Sequence, residues 1–206
     1  MTNVAVIYYS SSGNVHRLAT AAASAAEGAG ADVRLRRIPE LVAEPPVIDR
    51  DAWASHREAT GDIPDASLAD LDWADAILFG TPVRFGLPAP QLLHFIDTTA
   101  KLSIPGRLMN KAVSAFTSGS APHGGQVSTI LALHNAFCHW GSLIVSTGST
   151  EPVLFEPNNG NPYGASSVSR NQPGNVHDEN IAAVEFQARR TVAVAAALAK
   201  GFASAA

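Results

Sequence analysis

The chain has 206 residues, 46% hydrophobic and 16% charged, and its 14 Lys and Arg against 18 Asp and Glu leave a formal net charge of -4. That length and composition fit one folded domain with a sizeable core and exclude a disordered tail, and the mild acidity excludes the basic footprint of a nucleic-acid binder. The single cysteine, Cys138, excludes an intramolecular disulfide framework and a zinc site built on several thiolates, and it accords with a reduced, cytoplasmic setting. No apolar run approaches the ~18 residues of a membrane span, and the apolar stretch behind Met1 is too short for a signal-peptide core.

Val4-Ala5-Val6-Ile7-Tyr8-Tyr9 is almost wholly apolar, the pattern of a parallel strand buried on both faces. Ser10-Ser11-Ser12-Gly13-Asn14 breaks it. From Val15 the apolar period turns helical through Leu18, Ala19, Ala22 and Ala26, and Gly28 and Gly30 supply a stop. Alternation over residues 32–38 predicts a second strand, and Ala76-Ile77-Leu78-Phe79-Gly80 a third. The spacing of Leu92, Leu93, Phe95 and Ile96 predicts a short helix. Residues 112–116 read as a fourth strand, residues 127–137 as a helix and residues 142–147 as a fifth strand. A long final helix is striped by Ile181, Val184, Ala188 and Val192, and its Ala-rich end from Ala193 is expected to fray. Strands alternating with helices predict a three-layer α/β sandwich around a five-stranded parallel sheet, and right-handed crossovers leave few orders, among them 2-1-3-4-5. Two stretches, about 39–70 (with Pro39, Pro45, Pro46 and Pro64) and 151–176, exceed this plan. They are expected to be loop insertions within the one domain 1–206. Their Trp53, Phe155 and Tyr163 make them candidates for subunit contacts.

In such a sheet ligands bind where the strands end, so the loops to read are those after Tyr9, Gly80, Phe116 and Thr147, and the first three are unusual in composition. Ser10, Ser11, Ser12, Gly13, Asn14 and Val15 offer hydroxyls, backbone N–H groups and a helix dipole, the donor set of a phosphate site. Neither Gly-x-x-x-x-Gly-Lys-Ser/Thr nor Gly-x-Gly-x-x-Gly is present, so a neutral loop enclosing a phosphate monoester suits FMN; a plain turn with Ser12 or Asn14 capping the helix is the alternative. Pro82, Val83, Arg84, Phe85 and Gly86 could lie against a flat heteroaromatic ring. Thr117, Ser118, Gly119, Ser120 and Gly124 could turn backbone N–H groups toward its carbonyl oxygens. His139 ends the next helix and is expected at the same sheet edge; helix-terminal capping is its ordinary role.

Taken together, Val4-Ala5-Val6-Ile7-Tyr8-Tyr9-Ser10, Gly80-Thr81-Pro82-Val83-Arg84-Phe85-Gly86, Phe95-Ile96-Asp97, Gly124-Gly125-Gln126 and Pro162-Tyr163-Gly164-Ala165 resemble segments of the WrbA-like NAD(P)H:quinone oxidoreductases, in order from Val4 to about Arg190. The resemblance implies a flavodoxin-like fold that binds FMN non-covalently, usually as a homotetramer, with a homodimer the smaller option. It implies that residues 10–15 hold the FMN phosphate and that Val83, Arg84, Phe85, Ser118 and Gly119 line the isoalloxazine. It also implies a catalytic and flavin-side role for His139, often near a subunit boundary. The sequence departs from the family where Ser12 stands for a Tyr implicated in dinucleotide contact, and where Ser103 stands at or near a Trp of the quinone pocket. It also adds a residue, with Pro122 and His123, to the glycine-rich loop. The implied chemistry is two-electron reduction of a small-molecule quinone by NADH or NADPH through hydride transfer to flavin N5. A flavin-free relative and a flavodoxin-type electron carrier are the alternatives.

Overall fold

Val4, Val6 and Tyr8 of β1 (Asn3–Tyr8) project to one side of the sheet and Ala5 and Ile7 to the other, and all five are buried. A strand covered on both faces requires helices on both. The computed structural model, which describes residues 1–43 and 49–205, has them there; Pro45 and Pro46 lie outside the described residues. On the first face Val15, Leu18, Ala19 and Ala22 of α1 (Asn14–Gly28) pack with Val184, Ala188 and Val192 of α7 (Asp178–Ala205). On the second, Leu71 of α3 (Leu68–Trp73) joins Leu92 and Phe95 of α4 (Pro90–Asp97) and Ile130, Leu133 and Phe137 of α6 (Gln126–His139).

The sheet adds β2 (Asp32–Arg37), β3 (Ala76–Pro82), β4 (Ala112–Gly119) and β5 (Leu143–Ile144), all parallel, in the order β2-β1-β3-β4-β5. This is the expected topology. Tyr8, Gly80 and Phe116 stand side by side across β1, β3 and β4. A Cβ on Gly80 would sit 2.5 Å from the Phe116 ring, so the glycine makes room for that ring at the sheet's carboxyl edge.

Three expectations are corrected. The fifth strand, expected over residues 142–147, pairs only through β5, with Val145 N–H still donating to the Val113 carbonyl at 2.8 Å. The upper half of β4 is instead paired by β6 (Ser166–Val168), inside the segment expected to be a loop. Unpaired backbone groups on a buried strand cost too much to leave, and β6 supplies their partners. The other insertion is not a loop either: it folds α2 (Arg50–Ala59), capped by the Asp49 carboxylate on Ala52 N–H at 2.9 Å, and then α3. No residue of α2 is buried, so it carries no apolar stripe for a sequence to betray. The final helix α7 runs through the Ala-rich tail to Ala205, as the high helix propensity of Ala permits.

Asp70, only 4% exposed, ties α3 to β2. Its carboxylate accepts from the Ser67 amide and hydroxyl and from Arg34 and Arg36 at 2.7–3.3 Å. Burial pushes this carboxyl up, but the two Ser67 bonds and Arg36 outweigh it and hold it below the usual carboxylate range. A depressed native pKa stabilises the fold at any pH above the unfolded value near 4, and that stabilisation is lost as pH falls through the native value. Asp70→Asn is expected to cost about 2 kcal/mol at pH 7. In urea melts the gap between mutant and wild type should shrink on acidification below pH 4; a gap that does not depend on pH would rule out the ionic origin.

Candidate functional site

The loops after β1, β3 and β4 open into a cleft of about 590 Å³ at the carboxyl edge of the sheet. Its wall includes Ser10, Ser11, Ser12, Asn14, Val15, Pro82, Val83, Arg84, Phe85, Ser118, Gly119, Ser120 and Gly124, most of the predicted site. A cavity of this size suits a small cofactor.

The first loop decides between a helix cap and an anion cradle. Gly13, in the left-handed region with φ 95°, takes the N-cap position of α1, and no side chain bonds there. Neither Ser12 nor Asn14 caps the helix. The Gly13 amide donates to the Ser10 hydroxyl at 3.1 Å, and Asn14 turns away, donating to the Gln172 and Asn175 carbonyls at 2.9 and 3.0 Å. The leading N–H groups of α1 therefore face the loop without a side-chain acceptor, and no acid stands in the first turn. Arg84 adds a cation, its guanidinium donating to the Ser11 hydroxyl at 3.1 Å. Three hydroxyls, uncapped amides and one guanidinium form a donor set for a phosphate monoester. One carboxylate, Asp49, also borders the cleft, engaged in capping α2.

The second loop is a tight hairpin. Arg84 and Leu87 exchange backbone bonds at 2.8 and 3.0 Å, and Phe85 and Gly86 between them have positive φ, 53° and 78°. That turn holds Phe85 fully exposed beside the cleft. A flat ligand covering the phenyl ring would recover part of the ~1.5–3 kcal/mol of its burial. The third loop returns from β4 over Gly119 and is fastened to the hairpin base, where Val83 N–H donates to the Ser118 carbonyl at 2.9 Å. α6 begins behind it at Gly125, again left-handed and again with no side-chain cap.

Five predicted residues lie elsewhere. Gly13 serves as the α1 N-cap, and Gly86 packs against Gly125. Thr117 is fully buried, its hydroxyl donating to the Thr81 carbonyl at 2.6 Å. His139 is a correction: α6 starts at the cleft, so its far end reaches the amino edge of the sheet, where neighbouring Gly141 accepts from Asn110 N–H just before β4. Ser103 closes α5 (Ala100–Ser103) on the same amino-edge side. A helix that follows a parallel strand must run back antiparallel to it, which carries both residues away from their own cleft.

The cleft also includes Asp49, Trp53, Ser169, Asn171 and Pro173, which sequence reasoning missed. The last three come from the segment after β6, stitched to the first loop where Gly174 N–H donates to the Ser12 carbonyl at 3.0 Å and Arg17 donates to the Gly174 carbonyl at 2.7 Å. Part of the segment expected to make subunit contacts thus folds onto its own protomer. Next to the first loop, His16 accepts or donates with the Tyr8 hydroxyl at 2.8 Å and lies 5.4 Å from the His56 ring. Burial, with His16 and Arg37 adding to it, holds His56 down at about 4, and burial also lowers His16. His56 is therefore neutral at pH 7, and the positive character of the cradle comes from amides and arginines.

Fold and cleft define a flavodoxin-like α/β protein with an anion cradle at the switch point of its sheet. Residues 2–150 match the NADPH-dependent FMN reductase family, and the chain belongs to it. A protein of Deinococcus radiodurans named NAD(P)H dehydrogenase (quinone) is 40% identical over 195 residues, covering 95% of this chain and 96% of its own length. One of the same name from Geobacter sulfurreducens is 40% identical over 203 residues, covering 95% and 98%. Among solved structures, a flavodoxin, WrbA-like protein from Agrobacterium tumefaciens aligns with a TM-score of 0.65 at 24% identity, over 95% of this chain and 98% of that one, a likeness of fold.

Gly125 is where hairpin and glycine-rich loop meet. A Cβ there would stand 2.8 Å from the Gly86 Cα, whereas Gly30, with a similar φ of 84°, has nothing within 4 Å. Gly30→Ala should therefore cost only the ~1 kcal/mol of left-handed strain, and Gly125→Ala clearly more, read as the difference in urea midpoints. Equal losses would mean that the hairpin does not press on Gly125.

Proposed function

We propose that this protein is an FMN-dependent oxidoreductase that passes two electrons from NADH or NADPH to a quinone. The observation that carries the proposal is the cleft itself: an uncapped, hydroxyl-rich helix N-terminus at one end, and an exposed phenyl ring with a polar amide-bearing loop at the other. Full-length relatives named NAD(P)H dehydrogenase (quinone) support the same assignment. Bound FMN would supply the redox chemistry, taking hydride from the nicotinamide and giving two electrons to the quinone.

The chain binds and orients. Ser10, Ser11 and Ser12 with the first N–H groups of α1 hold the phosphate, and Val83, Arg84 and Phe85 with Ser118, Gly119 and Ser120 flank the ring. Arg84 places positive charge where a reduced ring is negative, and it needs no proton transfer to do so. In solution we assign a homotetramer or homodimer. His139 and Ser103 stand at the opposite sheet edge from their own cleft, so either could meet a flavin only in a neighbouring subunit. Leu93, Val127 and Leu131 give α4 and α6 exposed apolar residues of the kind that interfaces bury. No described helix is long and apolar enough to cross a membrane, and the exposed thiol of Cys138 agrees with a cytoplasmic setting.

The test is an anaerobic absorbance titration with FMN, then NADPH or NADH, then benzoquinone. Bleaching of the flavin band and its return with quinone is expected. Binding without bleaching would favour an electron carrier, and no spectral change a flavin-free relative. FMN that separates on desalting would favour flavin as a substrate, in keeping with the family's description. Arg84→Ala should weaken FMN binding about ten-fold by loss of one charge-assisted contact, measured by flavin fluorescence. Unchanged affinity would remove Arg84 from the site. Sedimentation velocity giving only a 21.5 kDa monomer would end the oligomer assignment.

A further inference from the structure

Trp53 stands on α2, a helix with no buried residue, yet its indole borders the cleft next to Ser10, Ser11 and Ser12. It also borders a second cavity of about 160 Å³ between α2 and the end of β2, which has Arg37, Glu40, His56 and Arg57 in its wall. Trp53 and Ser10 are the residues common to both cavities, so the indole is the partition between them. Its orientation is set from behind: Nε1–H donates to Glu40 Oε1 at 2.7 Å. That carboxylate also accepts from the Tyr9 hydroxyl at 2.8 Å and from Gln91 at 2.7 Å. One carboxylate thus ties α2 to the end of β1 and to α4.

The bond to Glu40 decides what Trp53 can recognise. Indole has one donor and no acceptor, and that donor is spent. What remains for a ligand is a carbon surface: a stacking platform that reads flatness and not hydrogen-bond pattern. Arg57, one helical turn on, holds its guanidinium 5.4 Å from the indole centroid and makes no ion pair with a described carboxylate. The other cation, Arg37, is paired with Asp65 at 3.1 Å. A flat ring fits the indole face that borders the cleft, and Arg57, in the wall of the second cavity, supports the indole by a cation–π contact.

We propose that Trp53 is the stacking platform for the adenine of the NAD(P)H donor, with Arg57 holding the indole from the side of the second cavity. This rests on the reductase assignment above. The donor has two flat rings joined by a pyrophosphate. With the nicotinamide at the ring-binding end by Phe85, the adenylate half extends along the cleft past the first loop to Trp53. Trp53 and Arg57 set affinity for the donor and take no part in the chemistry.

The test uses FMN-loaded full-length protein and two donors: NADPH, or NADH, and reduced nicotinamide mononucleotide, which has the same reactive ring and lacks the adenylate. Trp53→Leu should raise the ratio of KM for NADPH to KM for the mononucleotide about ten-fold, as loss of one base-stacking contact predicts. Trp53→Phe, which keeps a ring but loses the bond to Glu40, should restore most of it. Arg57→Gln should raise the same ratio by a smaller factor. An unchanged ratio, or loss of FMN from Trp53→Leu with both donors affected alike, would overturn the proposal and assign the indole to the flavin or to propping the cleft. ADP-ribose titrated calorimetrically against the same proteins separates this from failure of the reductase reading, because it needs no turnover. Binding weakened about ten-fold by Trp53→Leu supports the adenylate seat even if no donor bleaches the flavin. No binding to the wild type overturns it.

Discussion

Backbone hydrogen bonding between parallel strands carries on past the ends of the strands, and the cleft depends on it. β1, β3 and β4 end at staggered levels, and the next bonds in the series belong to loops: Tyr9 N–H to the Gly80 carbonyl, Val83 N–H to Ser118, Ser169 N–H to Gly119. Each bond extends sheet order by one residue into a segment that has no apolar face of its own to bury. Loops held this way start from a rigid edge, so the groups they present are positioned before any ligand arrives, which lowers the entropic cost of binding.

The insertions complete the site. Past β5 the chain leaves the sheet and comes back as β6, and its return is governed by close backbone approach. A Cβ on Gly164 would fall 2.1 Å from the Ala115 carbonyl oxygen. Gln187 of α7 spans the same place, accepting from Ala165 N–H at 2.8 Å and donating to the Ala115 carbonyl at 2.9 Å. From β6 the chain runs over the first loop, where Asn14 and Arg17 of α1 bind its carbonyls. α7, β6 and the first loop are therefore one connected unit, although Asn14 and Arg17 lie more than 150 positions from the carbonyls they bind.

For function, the chain contributes placement and charge. As a set of hydroxyls and helix amides with Arg84 as its one guanidinium, the cradle suits a dianion at less desolvation cost than a buried ion pair. The arginine is placed next to it on the hairpin, within reach of both loop and ring seat. The exposed phenyl ring and the indole stand ready for flat partners, and both are held by bonds that do not involve the ligand: the Arg84–Leu87 pair for the one, Glu40 for the other.

The sequence by itself determined the layered fold, narrowed its strand order to a few and marked the hydroxyl-rich end of the cleft. Buried parallel strands must be apolar throughout, and a phosphate loop must be made of small, donor-rich residues, so both leave local composition signals. The extents of β5 and β6, the helix α2, the contributions of Asp49, Trp53 and residues 169–173, and the removal of His139 and Ser103 to the far edge left none. A three-residue strand has no period to detect, and a helix with no buried face has no apolar stripe. Whether a helix end reaches the cleft depends on the direction in which that helix crosses the sheet, which is a property of the packed chain. Only tertiary structure decided these, because each rests on backbone pairing or side-chain contact between residues distant in the sequence.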